Sequence, residues 1–322
     1  MTDFGADDSF EKATEKMKEH YGIIVPVSAM RTITEKHAEI IKTTMPIKTE
    51  IPLIKGENCI IAETDGTMIP IVDCSKKGIP SHDDNRKNRK VSWKEGRLCL
   101  AYSQGAITPY FSATMGNPDE TGDHLINAAI NAGLSINSTV HSVGDGAKWI
   151  ANQVKRVFDS QGTCLIDFFH LCEYLAPASE KSNFKYTEHK EMIKTGKIEE
   201  VVKQLRPYME LDEVADEKAP VRKLIRYIEN RPGQFDYQNA IKNNLPIGSG
   251  QIESAHRYVI QLRLKLTGAW WKKDNADNIG YLLEHCEQII CGNSIGQMVL
   301  KIKQHNTHTY NCTRNYKSSK SN

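Results

Sequence analysis

Three acidic residues stand beside glycines at points where the hydrophobic pattern changes. They are Asp65 in Thr64-Asp65-Gly66-Thr67, Asp145 in Gly144-Asp145-Gly146-Ala147, and Glu253 in Gly248-Ser249-Gly250-Gln251-Ile252-Glu253-Ser254. None has a histidine or cysteine next to it, and an all-carboxylate set suits a hard, oxygen-seeking cation such as Mg²⁺, with Mn²⁺ as a substitute. If the fold gathers the three, the site holds two such ions about 3.5–4 Å apart and cuts or joins phosphodiesters. Such a pair activates a water or a 3′-hydroxyl on one side and stabilises the leaving oxygen on the other. Bare carboxylates this close repel, so cation affinity and site electrostatics are linked. Each is also one of 40 acidic residues, and Asp-Gly serves equally as a turn or a helix cap. Residue types alone therefore leave both uses open.

The elements that must position these acids read as follows. Residues 9–20 have helical character ending at Tyr21-Gly22, and Ser28 is the expected N-cap of a second helix to about Lys42. That pattern fits a helix-turn-helix or a plain helical hairpin. Pro46 and Pro52 mark a linker. The period then changes: 58–65 reads as a strand, 68–72 extends it, and Leu98–Tyr102 and Ile107–Thr114 are two more. The basic stretch 81–97, with Arg86, Lys87, Arg89, Lys90, Lys94 and Arg97, is expected to be a loop, with its run 86–97 a second candidate for DNA contact. Asp123 is the expected cap of a helix over 124–132, followed by a strand over Ser138–Val143, a helix over 146–159 and a strand over Thr163–Phe168. The order β-β-β-α-β-α-β predicts an α/β fold with a mixed five-stranded sheet and helices on its faces. Asp145 then falls at the C-terminal end of the fourth strand, where open α/β sheets place their sites.

Residues 171–247, rich in Lys, Glu and Leu and interrupted at Pro177, Pro207, Pro220 and Pro232, read as an all-helical insertion. Glu253 then lies in the first turn of a helix with the stripe Ile252, Ala255, Val259, Leu262 and Leu266. A last helix is expected from about Asn275 to Ile290. The chain thus divides into a helical segment 1–45, a core in two parts (46–170 and 248–292), the insertion 171–247, and a polar tail 293–322.

With 322 residues and 39% hydrophobic content the chain can build one large core, alone or with a satellite. A net charge of +2 neither requires nor excludes a nucleic-acid partner. There is no apolar run of the roughly 18 residues a membrane span needs, and the acidic start, Met1 to Glu11, lacks the apolar stretch of a secretory signal. The eight cysteines contain no CxxC and read as free thiols of a reducing cytoplasm. Cys286, Cys291, His305, His308 and Cys312 are an alternative metal set whose spacing fits no common zinc template. Charge is more informative locally. Ser254 to Lys273 holds no acid, but does hold Arg257, Arg263, Lys265, Lys272 and Lys273 with Trp270 and Trp271. A basic, aromatic face starting at Glu253 suits DNA near a cut site.

The wording of the motifs adds a resemblance. Asp65-Gly66-Thr67, Gly144-Asp145-Gly146-Ala147-x-Trp149-Ile150, Asp167-Phe168-Phe169-His170 and Gly248-Ser249-Gly250-x-Ile252-Glu253-Ser254 precede Gln261-x-Arg263-x-Lys265 and Trp270-Trp271. In this order, over about residues 20–290, they resemble the DDE transposases of bacterial insertion sequences, in particular Kra-type and Lre-type elements and the broader Mutator-like group. The resemblance implies an RNase H-like core interrupted by a helical insertion, with Asp65, Asp145 and Glu253 as the catalytic, metal-binding triad. It implies a supporting role for Asp167 and His170, which match the Asp/Cys-x-x-His signature of that group. It further implies cleavage at transposon ends and strand transfer into target DNA, with double-stranded DNA as partner. By the same resemblance the protein is a homodimer or higher oligomer on DNA and works at the bacterial nucleoid. Two other functions remain open on the residues themselves. One is an RNase H-fold nuclease without strand transfer; the other is a transposase-derived, non-catalytic DNA-binding protein.

Overall fold

The computed structural model describes residues 1–73, 90–288 and 299. Three helices come first: α1 (Thr2–Asp7), α2 (Phe10–Tyr21) and α3 (Val27–Thr44). Ser9 caps α2 by accepting from the Lys12 amide, and Gly22 ends it in the left-handed region at φ 67°. Pro26, not Ser28, precedes the first turn of α3. Ala6 of α1 and Ala38 and Ile41 of α3 belong to the same apolar cluster as the sheet. The N-terminal helices are therefore packed into the core.

The sheet follows: β1 (Cys59–Asp73), β2 (Lys90–Ser103), β3 (Tyr110–Thr114), α4 (Pro118–Asn131), β4 (Thr139–Gly144), α5 (Lys148–Phe158) and β5 (Gly162–Ile166). Its order is β3-β2-β1-β4-β5. The first three strands are antiparallel, and β1–β4 and β4–β5 are parallel. This is the mixed five-stranded α/β sheet expected from the element order, and it is consistent with an RNase H-like arrangement. Side chains alternate between faces. Ile60 and Ala62 of β1 pack with Leu125, Ile150 and Phe158 of α4 and α5. Ile61, Ile69 and Ile71 point the other way, into a cluster with Ile252, Val259 and Ile279. Glu63 and Asp65 share the phase of Ile61.

Two local expectations change. The basic stretch is not a loop from residue 90 onward. Lys90, Lys94 and Arg97 lie in β2, which pairs with β1 from Asp73↔Lys90 to Ile60↔Ser103. Arg86, Lys87 and Arg89 lie outside the described residues. Pro70, which has no N–H, is tolerated because β4 flanks β1 only as far as Glu63. The second change is the cap of α4: Asn117 and Glu120 form a reciprocal capping box, so the helix starts at Pro118 rather than after Asp123.

The insertion holds α6 (Phe168–Lys181), α7 (Tyr186–Lys194), α8 (Ile198–Leu205), α9 (Pro220–Glu229) and α10 (Tyr237–Lys242). Leu171, Leu175, Val201, Leu224 and Tyr237 form its own core, joined to the sheet through Leu165 and Ile166 of β5. Pro177 sits inside α6 without ending it, and Pro220 opens α9. Next come α11 (Gly250–Ala255), a π-helical turn (His256–Gln261), α12 (Leu262–Leu264) and α13 (Lys273–Gln288). The expected stripe holds only to Val259. Leu262 is 58% exposed, while Ile260, Arg263 and Leu264 are buried. An i→i+5 turn is wider than 3.6 residues and shifts the buried face by about one position. Finally, α13 covers the outer edge of β3: the Ala113 amide donates to the Glu284 carboxylate, and the Met115 amide to Asp277 Oδ1 at 2.6 Å. Among the described residues no helix is long and apolar enough to cross a membrane.

Candidate functional site

Strand register sets the site. Val143 of β4 pairs with Glu63 of β1, and Gly144 pairs with Ile166 of β5. The Asp167 amide donates to Gly144 O at 2.7 Å, which continues that pairing past the strand end. Asp65 follows Glu63 by two residues in β1, and Asp145 and Asp167 come directly after β4 and β5. All three aspartates therefore lie close to where the β1–β4–β5 pairing stops. Asp145 is exposed and Asp65 half-buried.

The insertion fixes the Asp145 turn. Tyr227 of α9 donates its hydroxyl to Asp145 O at 2.8 Å, and Arg231 Nε donates to Gly146 O at 2.7 Å. The Arg231 guanidinium lies 3.8 Å from the Tyr227 ring centroid. Gly146 has φ +87°, and a Cβ there would meet the Tyr227 hydroxyl and come within 2.9 Å of Ile166 Cδ1. Gly146→Ala is expected to destabilise the protein by about 3 kcal/mol, combining left-handed strain with the clash. Urea denaturation measures this; an unchanged midpoint would show that the turn can move freely.

Asp167 is buried and acts as a staple. Its Oδ1 accepts from the amides of Phe169 at 2.6 Å and His170 at 3.1 Å, at the start of α6. Its Oδ2 accepts from both the amide and the hydroxyl of Ser249, each at 2.6 Å, just before α11. These four donors occupy the acceptor capacity of the carboxylate. The start of α6 is thereby tied to the start of α11, and His170 Nε2 comes 3.8 Å from Glu253 Oε1. Ligand atoms of Asp167, His170 and Glu253 lie within 4.8 Å of one another. This is a possible acidic and histidine metal cluster. Glu253 is 56% exposed and His170 36%, so both have open coordination sites, whereas those of Asp167 are filled.

Of the three acids singled out in the sequence, Glu253 enters this cluster, and Asp65 and Asp145 are not among its members. Asp65 Oδ2 is 3.8 Å from His256 Nε2, and Asp145 Oδ1 accepts from the Ala147 amide at 2.8 Å. Sequence reasoning missed Glu63 and His256. Glu63 is fully buried, and its Oε2 accepts from the Ile252 amide at 3.0 Å, which links β1 to the turn carrying Glu253. His256 is 2% exposed, and neither ring nitrogen has a hydrogen-bond partner. Burial holds its pKa below the usual imidazole value, against the pull of Asp65. The available signal for Glu63 was its phase with Ile61 in an otherwise apolar strand.

Burial, reinforced by the charges of Asp167 and Glu253 and opposed by the Ile252 amide, pushes the Glu63 pKa from 4.5 to about 7. The folded state then binds the proton more tightly than the unfolded chain. Its stabilising contribution is complete below about pH 4.5 and is lost as pH rises through about 7. At 1.36 kcal/mol per unit this amounts to about 3 kcal/mol. Denaturant titrations at pH 5 and pH 8 should show Glu63→Gln losing less stability than the wild type over that interval. Parallel pH dependences would contradict the assignment.

The expected DNA face divides. Arg257, Lys272 and Lys273 are exposed, and Trp270 is 48% exposed. Lys265 is half-buried, with Nζ donating to Thr67 Oγ1 at 2.8 Å. Arg263 and Trp271 are inside, contrary to a DNA-contacting role. Arg263 Nε donates to Gly5 O at 3.0 Å, and its guanidinium stands between Phe10 and Trp271, 4.5 and 4.7 Å from the ring centroids. The π turn rotates Arg263 inward, and burial depresses its pKa to about 10. Of the alternative C-terminal metal set, Cys286 is half-buried; Cys291, His305, His308 and Cys312 lie outside the described residues.

Residues 131–276 match a family described as Uncharacterised protein family (UPF0236). The matched region runs from the end of α4 through Glu253 to the first turn of α13 and leaves out Glu63 and Asp65. No curated protein matches the chain. Among solved structures, the crystal structure of NurA with manganese aligns at 13% identity over 81% of this chain and 63% of that one. The TM-score is 0.13, too low to bear on the fold or the site.

Proposed function

We propose that this protein is a DDE-type transposase with an RNase H-like core, cutting DNA at the ends of an insertion sequence and joining the ends to target DNA. The observation that supports this most is the site's construction. Asp65, Asp145 and Asp167 come near the point where the β1–β4–β5 pairing stops, and after the helical insertion Asp167 and Ser249 tie the chain back so that Glu253 meets His170. Glu253, Asp145 and Asp65 would hold the divalent ions, Mg²⁺ or Mn²⁺, with His170 beside Glu253. Bound there, the ions supply charge stabilisation at the phosphate and an activated water or 3′-hydroxyl.

The chain's own residues do the positioning. Asp167 and Ser249 set Glu253 beside His170, and Tyr227 and Arg231 hold the Asp145 turn. His170 supports Glu253 and the strand beside it. Arg257, Trp270, Lys272 and Lys273 offer an exposed basic face that meets phosphates and fixes the duplex without reading sequence. Cleavage and joining are both in-line displacements, so orientation of the DNA provides much of the rate. The family resemblance adds a homodimer or larger assembly on paired ends, acting at the bacterial nucleoid.

The test uses the full chain with linear DNA carrying the flanks of its own gene, and with the same ends pre-cut to expose 3′-hydroxyls. Cleavage and joined products that require Mg²⁺ or Mn²⁺ are expected. Cleavage without joining would make it an RNase H-fold nuclease. Binding with neither reaction, indifferent to metal, would make it a non-catalytic DNA-binding protein.

A further inference from the structure

Phe169 lies between the staple Asp167 and His170, in the first turn of α6, yet its side chain is 64% exposed. The neighbouring Phe168 is buried to 1% and meets it edge-on, with ring centroids 6.1 Å apart at 75°. The Phe169 amide is bound to Asp167 Oδ1. The ring also lies over Gly248: a Cβ there would come within 2.9 Å of both Cδ2 and Cε2. Phe169 is therefore a ring fixed at its base by a capped helix turn and along one edge by bare backbone, with the rest open to solvent. It stands next to His170, whose ring nitrogen comes 3.8 Å from Glu253. A lone exposed apolar side chain is ordinary. A held aromatic ring at the mouth of a phosphodiester site has a specific use, because every base has a π face that can stack on it.

Resting on the proposed function, we infer that Phe169 is the stacking platform for an unpaired base of the DNA strand at the cut. Bases inside a duplex already use both faces on their neighbours. The strand entering the site must then be single-stranded at this point or have one base turned out of the stack. The substrate class follows: DNA with a locally unpaired nucleotide next to the scissile phosphate, with no base identity required.

The experiment uses full-length protein and a single-stranded oligonucleotide bearing 2-aminopurine, whose fluorescence is quenched by stacking, with a fully paired duplex of the same sequence as control. The wild type should quench the probe. Phe169→Ala should weaken single-strand binding by roughly 5- to 100-fold, as expected for one base–aromatic stack, and abolish the quench while leaving duplex affinity unchanged. Phe169→Trp should restore both, and Phe169→Leu neither. Equal single-strand binding and quenching by wild type and Phe169→Ala would overturn the stacking role, as would full rescue by leucine. Metal-dependent cleavage by the wild type is scored in the same preparations. If the wild type cleaves but the alanine variant is unaffected, stacking alone fails. If the wild type neither binds nor cleaves DNA, the transposase reading fails and takes this inference with it.

Discussion

Glu253→Gln should lower metal-dependent DNA cleavage by on the order of 10³-fold while leaving the fold intact. The substitution keeps size and hydrogen-bonding reach but removes one anionic ligand. A metal ligand contributes several kcal/mol of transition-state charge stabilisation, and each 1.36 kcal/mol is a factor of ten. The side chain is 56% exposed, so substitution by a near-isostere should change stability by no more than about 0.5 kcal/mol. The sign of any change is informative. The Glu253 charge opposes ionisation of buried Glu63, so removing it should slightly stabilise the metal-free protein. Added Mg²⁺ should raise the melting temperature of the wild type through preferential binding to the folded state, and raise that of the variant less. Near-normal cleavage by Glu253→Gln would remove this residue from the chemistry.

Asp167→Asn should be the most disruptive single substitution at the site for the fold. The aspartate accepts from Phe169, His170 and Ser249, all on buried or partly buried groups. An asparagine replaces one oxygen with an NH₂ that faces two donors. Hydrogen bonds to a charged acceptor contribute about 1.5–3 kcal/mol, and a buried donor left unpaired costs about 1–3 kcal/mol. A loss of about 3–5 kcal/mol is therefore expected, with cleavage falling because the starts of α6 and α11 separate. Amide hydrogen exchange locates the effect. Phe169, His170 and Ser249 should exchange faster in the variant, ahead of the sheet amides. Unchanged melting and unchanged protection at these three amides would show that the staple is dispensable.

Much of the scaffold was legible because its signals are local. Short apolar stretches mark β1, β4 and β5, and the run from Thr163 to Asp167 ends in an aspartate that caps the next helix. Asp145 could be found because glycines flank it at a strand end. Other features depend on three-dimensional context. The π turn has no sequence propensity of its own, so the helical stripe read through Leu262 was displaced and Arg263 passed for a surface cation. Glu63 looked like an ordinary charge in a strand, and only the approach of the Ile252 amide gives its burial a purpose. The first half of β2 has no clear strand signal because Lys90 and Lys94 interrupt the apolar pattern on a solvent-facing part of the strand. Whether the insertion returns Glu253 to the strand ends depends on contacts far apart in sequence: Tyr227 with Asp145, and Asp167 with Ser249.

The most direct measurement is anomalous diffraction from crystals of the full chain grown with Mn²⁺. A manganese peak is expected within roughly 2.0–2.6 Å of a Glu253 carboxylate oxygen and of an oxygen from Asp145 or Asp65, the range of hard-cation–oxygen bonds. Manganese bound elsewhere, with no peak against Glu253 and the two strand-end aspartates, would contradict a metal centre built on these residues.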